Sequence, residues 1–176
     1  MVLTIFQETY KEIGGLLKEL GDEKSAEEYY LKSGDWQSVV DMYRISEKWS
    51  EAYRVAKEQQ NDMAQKKVAF LWAKSLGGGD AAVRLLERLS MFQETVDFAC
   101  QNKAFEFAYE LCRIGDQSKL SAVHLQHAIQ LEDDGKYDEA SEHYIKANCI
   151  KEAIAMYVHS QQWEKAEEIA RCNTAL

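Results

Sequence analysis

Residues Trp49–Ala56, W-S-E-A-Y-R-V-A, return twice in this chain, as F-E-F-A-Y-E-L-C at Phe105–Cys112 and as W-E-K-A-E-E-I-A at Trp163–Ala170. Each copy opens on an aromatic residue, places alanine three positions on (Ala52, Ala108, Ala166) and closes on a small residue (Ala56, Cys112, Ala170). Positions i, i+3 and i+7 share one face of an α-helix, so the pattern speaks of packing, not of chemistry. Trp49, Ala52, Ala56, Phe105, Ala108, Cys112, Trp163, Ala166 and Ala170 form a structural repeat signature.

The similarity spreads outward from this core. Laid over 140–170 without a gap, 26–56 keeps Ala26/Ala140, Glu28/Glu142, Tyr30/Tyr144, Lys32/Lys146, Met42/Met156, Tyr43/Tyr157, Ser46/Ser160, Trp49/Trp163, Ala52/Ala166 and Ala56/Ala170. A more diverged copy lies between them at 82–112, with Ala26/Ala82, Val40/Val96, Asp41/Asp97, Ala52/Ala108 and Tyr53/Tyr109 retained. The repeating unit is therefore about 57 residues, present nearly three times. Units of about 1–76, 77–132 and 133–176 follow, read as a single continuous solenoid segment, since no Gly/Ser-rich or charged linker divides them.

Composition agrees. The chain has 176 residues, 46% hydrophobic and 29% charged, with no proline, which suits helices joined by very short turns. No run of eighteen apolar residues exists and the N-terminus lacks the basic-then-apolar pattern of a signal peptide, so a soluble protein of a reducing compartment is expected. Cys100, Cys112, Cys149 and Cys172 have no paired spacing and read as reduced, small hydrophobic residues. A net charge of −9 argues against nucleic acid and against direct binding to anionic membranes.

The punctuation sets the element order. The segment 1–20 is apolar at helical spacing, with Gly14-Gly15 expected to weaken or kink it. Asp22 and Asp35 read as N-caps for helices over about 22–33 and 35–46, and a third helix starts near Lys48. A longer helix is predicted over about 61–76, ending at Gly77-Gly78-Gly79, with Asp80 capping the next. The plan then repeats near 80–90, 91–101, 103–114 and 117–132, and again from Gly135 with helices near 149–160 and 162–172. The predicted fold is all-α: an α-solenoid of stacked antiparallel helical hairpins, tetratricopeptide-like or coat-scaffold-like, with about eleven to twelve helices. In it Trp49, Trp163, Tyr30 and Tyr144 are expected in the core, and the alanines let neighbouring helices approach. Met1-Val2-Leu3 and Thr174-Ala175-Leu176 provide no recognisable polar capping helix, which suits a segment of a longer solenoid whose apolar ends could self-associate.

Chemistry finds little support. Gly77-Gly78-Gly79-Asp80 lacks the Lys-Ser/Thr of a phosphate-binding loop and follows a helix where that motif needs a strand. His124 and His127 could share a metal with Glu132, Asp133 or Asp134 nearby, yet two well-spaced ligands are missing; His143 and His159 stand alone. No nucleophile, base or paired carboxylate stands out. No catalytic, cofactor or metal residue is assigned, and an enzyme is not expected.

Three stretches carry a family resemblance: V-V-D-M-Y-R-I-S-E-K-W-S-E-A-Y-R-V-A-K (Val39–Lys57), V-A-F-L-W-A-K-S-L-G-G-G-D-A-A-V-R-L-L (Val68–Leu86) and H-L-Q-H-A-I-Q-L-E-D-D-G-K-Y-D-E-A (His124–Ala140). From about Tyr30 to Ala170 the chain resembles the intraflagellar transport protein 172 family, the large propeller-plus-solenoid subunits of intraflagellar transport complex B. The resemblance implies a non-catalytic scaffold segment of a train that builds and maintains cilia, with other intraflagellar transport subunits as partners. It implies residence in the cilium or flagellum and at the basal body, on the cytoplasmic side. The paired propellers and the U-box-like end of such proteins have no counterpart in these residues. Two further readings remain: another vesicle-coat-like solenoid, and a tetratricopeptide domain that binds peptides, which a groove lined by Lys, Arg and Asn would favour.

Overall fold

The computed structural model describes residues 2–174, and side chains from residue 5 to residue 172. Among them are twelve α-helices and no strand. In order these are α1 (Val2–Glu19), α2 (Glu23–Ser33), α3 (Trp36–Ile45), α4 (Trp49–Glu58), α5 (Asp62–Ser75), α6 (Gly79–Leu89), α7 (Phe92–Gln101), α8 (Phe105–Ile114), α9 (Leu120–Asp133), α10 (Tyr137–Lys146), α11 (Ile150–His159) and α12 (Trp163–Thr174). One turn of 3-10 helix, Gln117–Lys119, precedes α9. The fold is an all-α solenoid. The repeat is visible in the element lengths: α3, α7 and α11 are ten residues each, and α5 and α9 fourteen each.

The short helices are joined by one recurring turn. A residue with left-handed backbone follows almost every helix: Gly21, Gly34 and Gly135, but also Glu47, Gln60, Ser90, Lys103, Asn148 and Gln161. The amide after it reaches back to the carbonyl five residues earlier, as in Lys48 to Tyr43 and Cys149 to Tyr144, both 2.8 Å. That bond satisfies one of the helix-end carbonyls that would otherwise lack a partner. The next residue starts the following helix, so the chain reverses within two or three residues. Asp22 and Asp35 accept from the amides of Ser25 and Ser38 as side-chain N-caps. Asp80 does not cap α6: the N-cap is Gly78, and Asp80 sits in the first turn paired with Arg84 at 2.6 Å.

The described residues fall into two compact units, Met1–Trp72 and Ala73–Leu176, the chain passing between them within α5. In the first, α1 packs on α2, α2 on α3 and α3 on α4. Helix α1 runs unbroken through Gly14-Gly15. A Cβ at Gly14 would lie 3.0 Å from the Tyr30 ring, so the glycine opens space for that buried tyrosine. Arg54 of α4 and the Tyr43 hydroxyl of α3 both reach Glu27 of α2, at 2.7 and 2.5 Å, and tie three helices at one carboxylate.

In the second unit α6, α7 and α8 pack together, α7 and α8 also touch α9, and α9/α10 and α11/α12 form the closing hairpins. Ala128, Ala140, Tyr144, Ala153, Met156, Tyr157 and Ala166 share one core. Tyr157, the repeat counterpart of Tyr43, again hydrogen-bonds backwards, to Asp138 at 2.9 Å and Ser141 at 3.1 Å on α10.

The signature alanines Ala52, Ala56, Ala108 and Ala166 are buried, with Cys112, whereas Ala170 is partly exposed. The aromatic position departs from expectation. Phe105 is 7% exposed, but Trp163 is 61% exposed, and Trp49 is half-buried. The aromatic is the first residue of its helix, and in the second copy a later helix covers it. His127 of α9 stacks on Phe105 with ring centroids 4.0 Å apart, and no helix follows α12 among the described residues. Trp163 is thus not a core residue in this chain. Tyr30 and Tyr144 are. The terminal residues Met1-Val2-Leu3 and Thr174-Ala175-Leu176 lie outside the residues whose side chains are described.

Two mutational contrasts follow. Met156→Ala, at a side chain 2% exposed, lowers unfolding free energy in urea titrations by about 2–5 kcal/mol, whereas Trp163→Ala changes it by less than about 1 kcal/mol. Gly115 ends α8, and a Cβ there would lie 2.6 Å from the Phe92 ring and 3.0 Å from Val83. Gly115→Ala therefore costs about 1–3 kcal/mol in the same measurement by overpacking.

Candidate functional site

Two places combine polar groups in ways that repeat packing alone does not require. The first joins α8, α9 and α10. One turn of α9 puts His124 and His127 on the same face, and α10 brings His143 beside them. The Tyr109 hydroxyl lies 2.9 Å from Nδ1 of His127 and 3.0 Å from Nδ1 of His143, whose Nδ1 is also 3.0 Å from Nδ1 of His124. The rings of His127 and His143 are 4.2 Å apart. Sequence spacing set His143 apart as a lone residue; the fold instead makes it the centre of the cluster. Glu132 does not join the histidines, because it accepts from the Tyr144 hydroxyl at 2.6 Å. Among the described residues no three His, Cys, Asp or Glu side chains are placed to share a metal ion.

Each contact in the cluster needs one proton between its two heavy atoms. His143 Nδ1 takes part in two of them, so it must serve Tyr109 and His124 in a single protonation state. If all three rings were charged, N–H would face N–H between His124 and His143, and that contact would turn repulsive. Burial holds all three imidazoles below their ordinary value of 6.5. Neighbouring charge adds to this: His143 and Lys146, with Arg113, disfavour the cation at His124, while Glu106 and Glu139 oppose the shift at His127. Burial also raises the Tyr109 phenol and pushes the thiols of Cys100 and Cys112 up to about 12 and about 11. These groups stay protonated at neutral pH, the state opposite to that of a nucleophile or base.

The glycine run holds an anion, though not a phosphate. The carboxylate of Glu110 on α8 accepts from the Gly79 amide at 3.1 Å, at the start of α6. A Cβ at Gly78 would lie 2.6 Å from the same carboxylate. The chain's own side chain fills the place where a ligand would sit.

The second place is a groove between α3 and α5, of about 450 Å³. Trp36, Val40, Met63, Ala64 and Val68 form its apolar lining, and Gln37, Asp41, Arg44, Asn61 and Lys67 its polar lining. Arg44 pairs with Asp41 at 3.1 Å, and Asn61 is committed to capping α5 through the amide of Ala64 at 2.8 Å. In the next repeat the corresponding space between α7 and α9, lined by Gln93, Val96, Asp97 and Cys100 among others, shrinks to about 10 Å³. A thiol can be buried where Cys100 stands; the guanidinium of Arg44 in the matching position cannot without losing its hydration. The sequence shows the Arg44/Cys100 exchange, but not the cleft that accompanies it.

Against known proteins, residues 7–175 match the model of the tetratricopeptide (TPR) domain family shared by intraflagellar transport proteins 140 and 172. The chain belongs to the intraflagellar transport protein 172 family. The Homo sapiens family member, named Intraflagellar transport protein 172 homolog, is 46% identical over 169 residues, covering 96% of this chain and 10% of that protein. Intraflagellar transport protein osm-1 of Caenorhabditis elegans is 44% identical over 93% of the chain, and Intraflagellar transport protein 172 of Chlamydomonas reinhardtii 41% identical over 85%. The chain spans about a tenth of the length of these curated relatives. Within the family domain, no helix among the described residues is long and apolar enough to cross a membrane.

The histidine cluster yields a pH prediction. Each imidazole takes up a proton less readily in the folded chain than in the unfolded chain. Below the unfolded value near 6.5 the unfolded state therefore binds more protons, and stability falls as pH falls. The urea midpoint is expected to drop between about pH 7.5 and about pH 5.5, and to drop less in His143→Gln, which removes the ring shared by two contacts.

Proposed function

We propose that this chain is a non-catalytic scaffold and protein-interaction segment of an intraflagellar transport complex B subunit, working in the trains that build and maintain cilia. The supporting observation is the match to the family domain along nearly the whole chain, together with relatives named as intraflagellar transport proteins in organisms as distant as Chlamydomonas reinhardtii and Homo sapiens. The chemistry of the side chains is consistent with this: the buried thiols and phenols are held protonated, and the patterned residues are taken up by packing and turns.

On this reading the chain is one stretch of a continuous solenoid arm, and its buried signature residues Ala52, Ala56, Ala108, Cys112 and Ala166 set the spacing between successive helices. Its partners are other intraflagellar transport subunits, met in the cilium and at the basal body. A net charge of −9 disfavours nucleic acid and anionic bilayers as partners. A second reading, peptide capture by a tetratricopeptide-type groove, draws support from the α3–α5 cleft with Arg44, Asn61 and Lys67 in its lining. The two are compatible, since a scaffold can hold a partner's segment in such a cleft.

Crosslinking mass spectrometry of the full-length protein in assembled complexes tests the scaffold role. Links from lysines of this chain to other intraflagellar transport subunits are expected. Links confined to its own chain would refute the contact role.

A further inference from the structure

The solenoid repeat is closed between α7 and α9 and open between α3 and α5, although both places derive from the same unit. An open apolar cleft in water loses the burial that its repeat counterpart gains. Met63 is 62% exposed at its edge, with Trp36 and Val40 in the lining. What distinguishes this place electrically is α5. It carries Lys66, Lys67 and Lys74 against the single acid Asp62, and it is the one α-helix among those described in which Lys and Arg outnumber Asp and Glu. Lys66 and Lys67 make no ion pair among the described residues, whereas Arg54, Lys165 and Lys32 each hold a carboxylate of a neighbouring or the same helix.

We infer that the α3–α5 groove seats an acidic segment of another subunit, whose apolar side chains enter between Trp36 and Met63 while its carboxylates meet Lys67. This rests on the reading of the chain as an interaction segment and names the place and the chemistry of one contact. A chain with net charge −9 repels an acidic partner over most of its surface, so the basic helix directs such a partner to one place. A basic segment would have to leave Lys67 uncompensated and would gain only Asp41, which Arg44 already holds at 3.1 Å. The apolar lining supplies the affinity and the lysines the register. The next copy, with Cys100 in place of Arg44 and Val123 in place of Lys67, is closed.

Zero-length carbodiimide crosslinking joins lysine amines directly to carboxylates, and it tests the inference in assembled complexes that contain the full-length protein. Lys67 or Lys66 is expected to link to Asp or Glu of another subunit. Lys67→Glu should weaken retention of that subunit by about tenfold at moderate salt, while Lys151→Glu, on an exposed position of α11, should leave it unchanged. Circular dichroism of Lys67→Glu, a surface substitution, verifies that the helices persist. If Lys66 and Lys67 link only within their own chain while other lysines of this chain reach other subunits, the groove inference is overturned and the scaffold reading stands. If no lysine of this chain reaches another subunit, both fall. Equal retention of the partner by Lys67→Glu and the parent protein would also overturn the groove.

Discussion

A ten-residue helix in water is unstable by itself, and this constraint governs most of the molecule. Eight of the twelve described helices are ten residues long or one longer, so each depends on neighbours that must arrive at once. The left-handed turn makes that possible. It returns the chain within two or three residues, closes the helix-end carbonyl with a backbone bond and places the next helix antiparallel. Where glycine occupies the turn, the conformation is free of Cβ strain; Glu47, Gln60, Lys103 and Gln161 adopt it at a cost of about 1–2 kcal/mol each, which packing of the joined helices must offset. Recurrence of the turn at residues of such different chemistry shows that the repeat is held by helix length and core spacing, with turn composition secondary.

This division explains what the sequence made legible. Helix boundaries came within a few residues because Gly34-Asp35, the glycine run and the repeated alanines act through local backbone and packing rules. Left-handed turns at Glu47 or Gln161 carry no such local mark, so only the repeat period located them. The signature's aromatic was legible as apolar but not as buried or exposed. Its burial belongs to the helix that follows, as His127 on Phe105 shows, and among the described residues Trp163 has none above it.

The histidine cluster was half visible. His124 and His127 share a helix face, a relation readable at i and i+3, whereas His143 arrives through the packing of α10 on α9 and Tyr109 through α8. Nothing in the spacing of residues 109, 124 and 143 announces that their polar atoms meet within 3.0 Å. The Gly78–Glu110 contact is of the same kind: a glycine cluster resembles a ligand cradle until a carboxylate from another helix is found inside it.

The two copies of the cleft differ in what fills them. Where α7 meets α9, the two helices are in direct contact and leave only about 10 Å³ between them. Between α3 and α5 a groove of about 450 Å³ lies open instead. A segment seated there would supply from outside the contact that the next copy makes between its own helices.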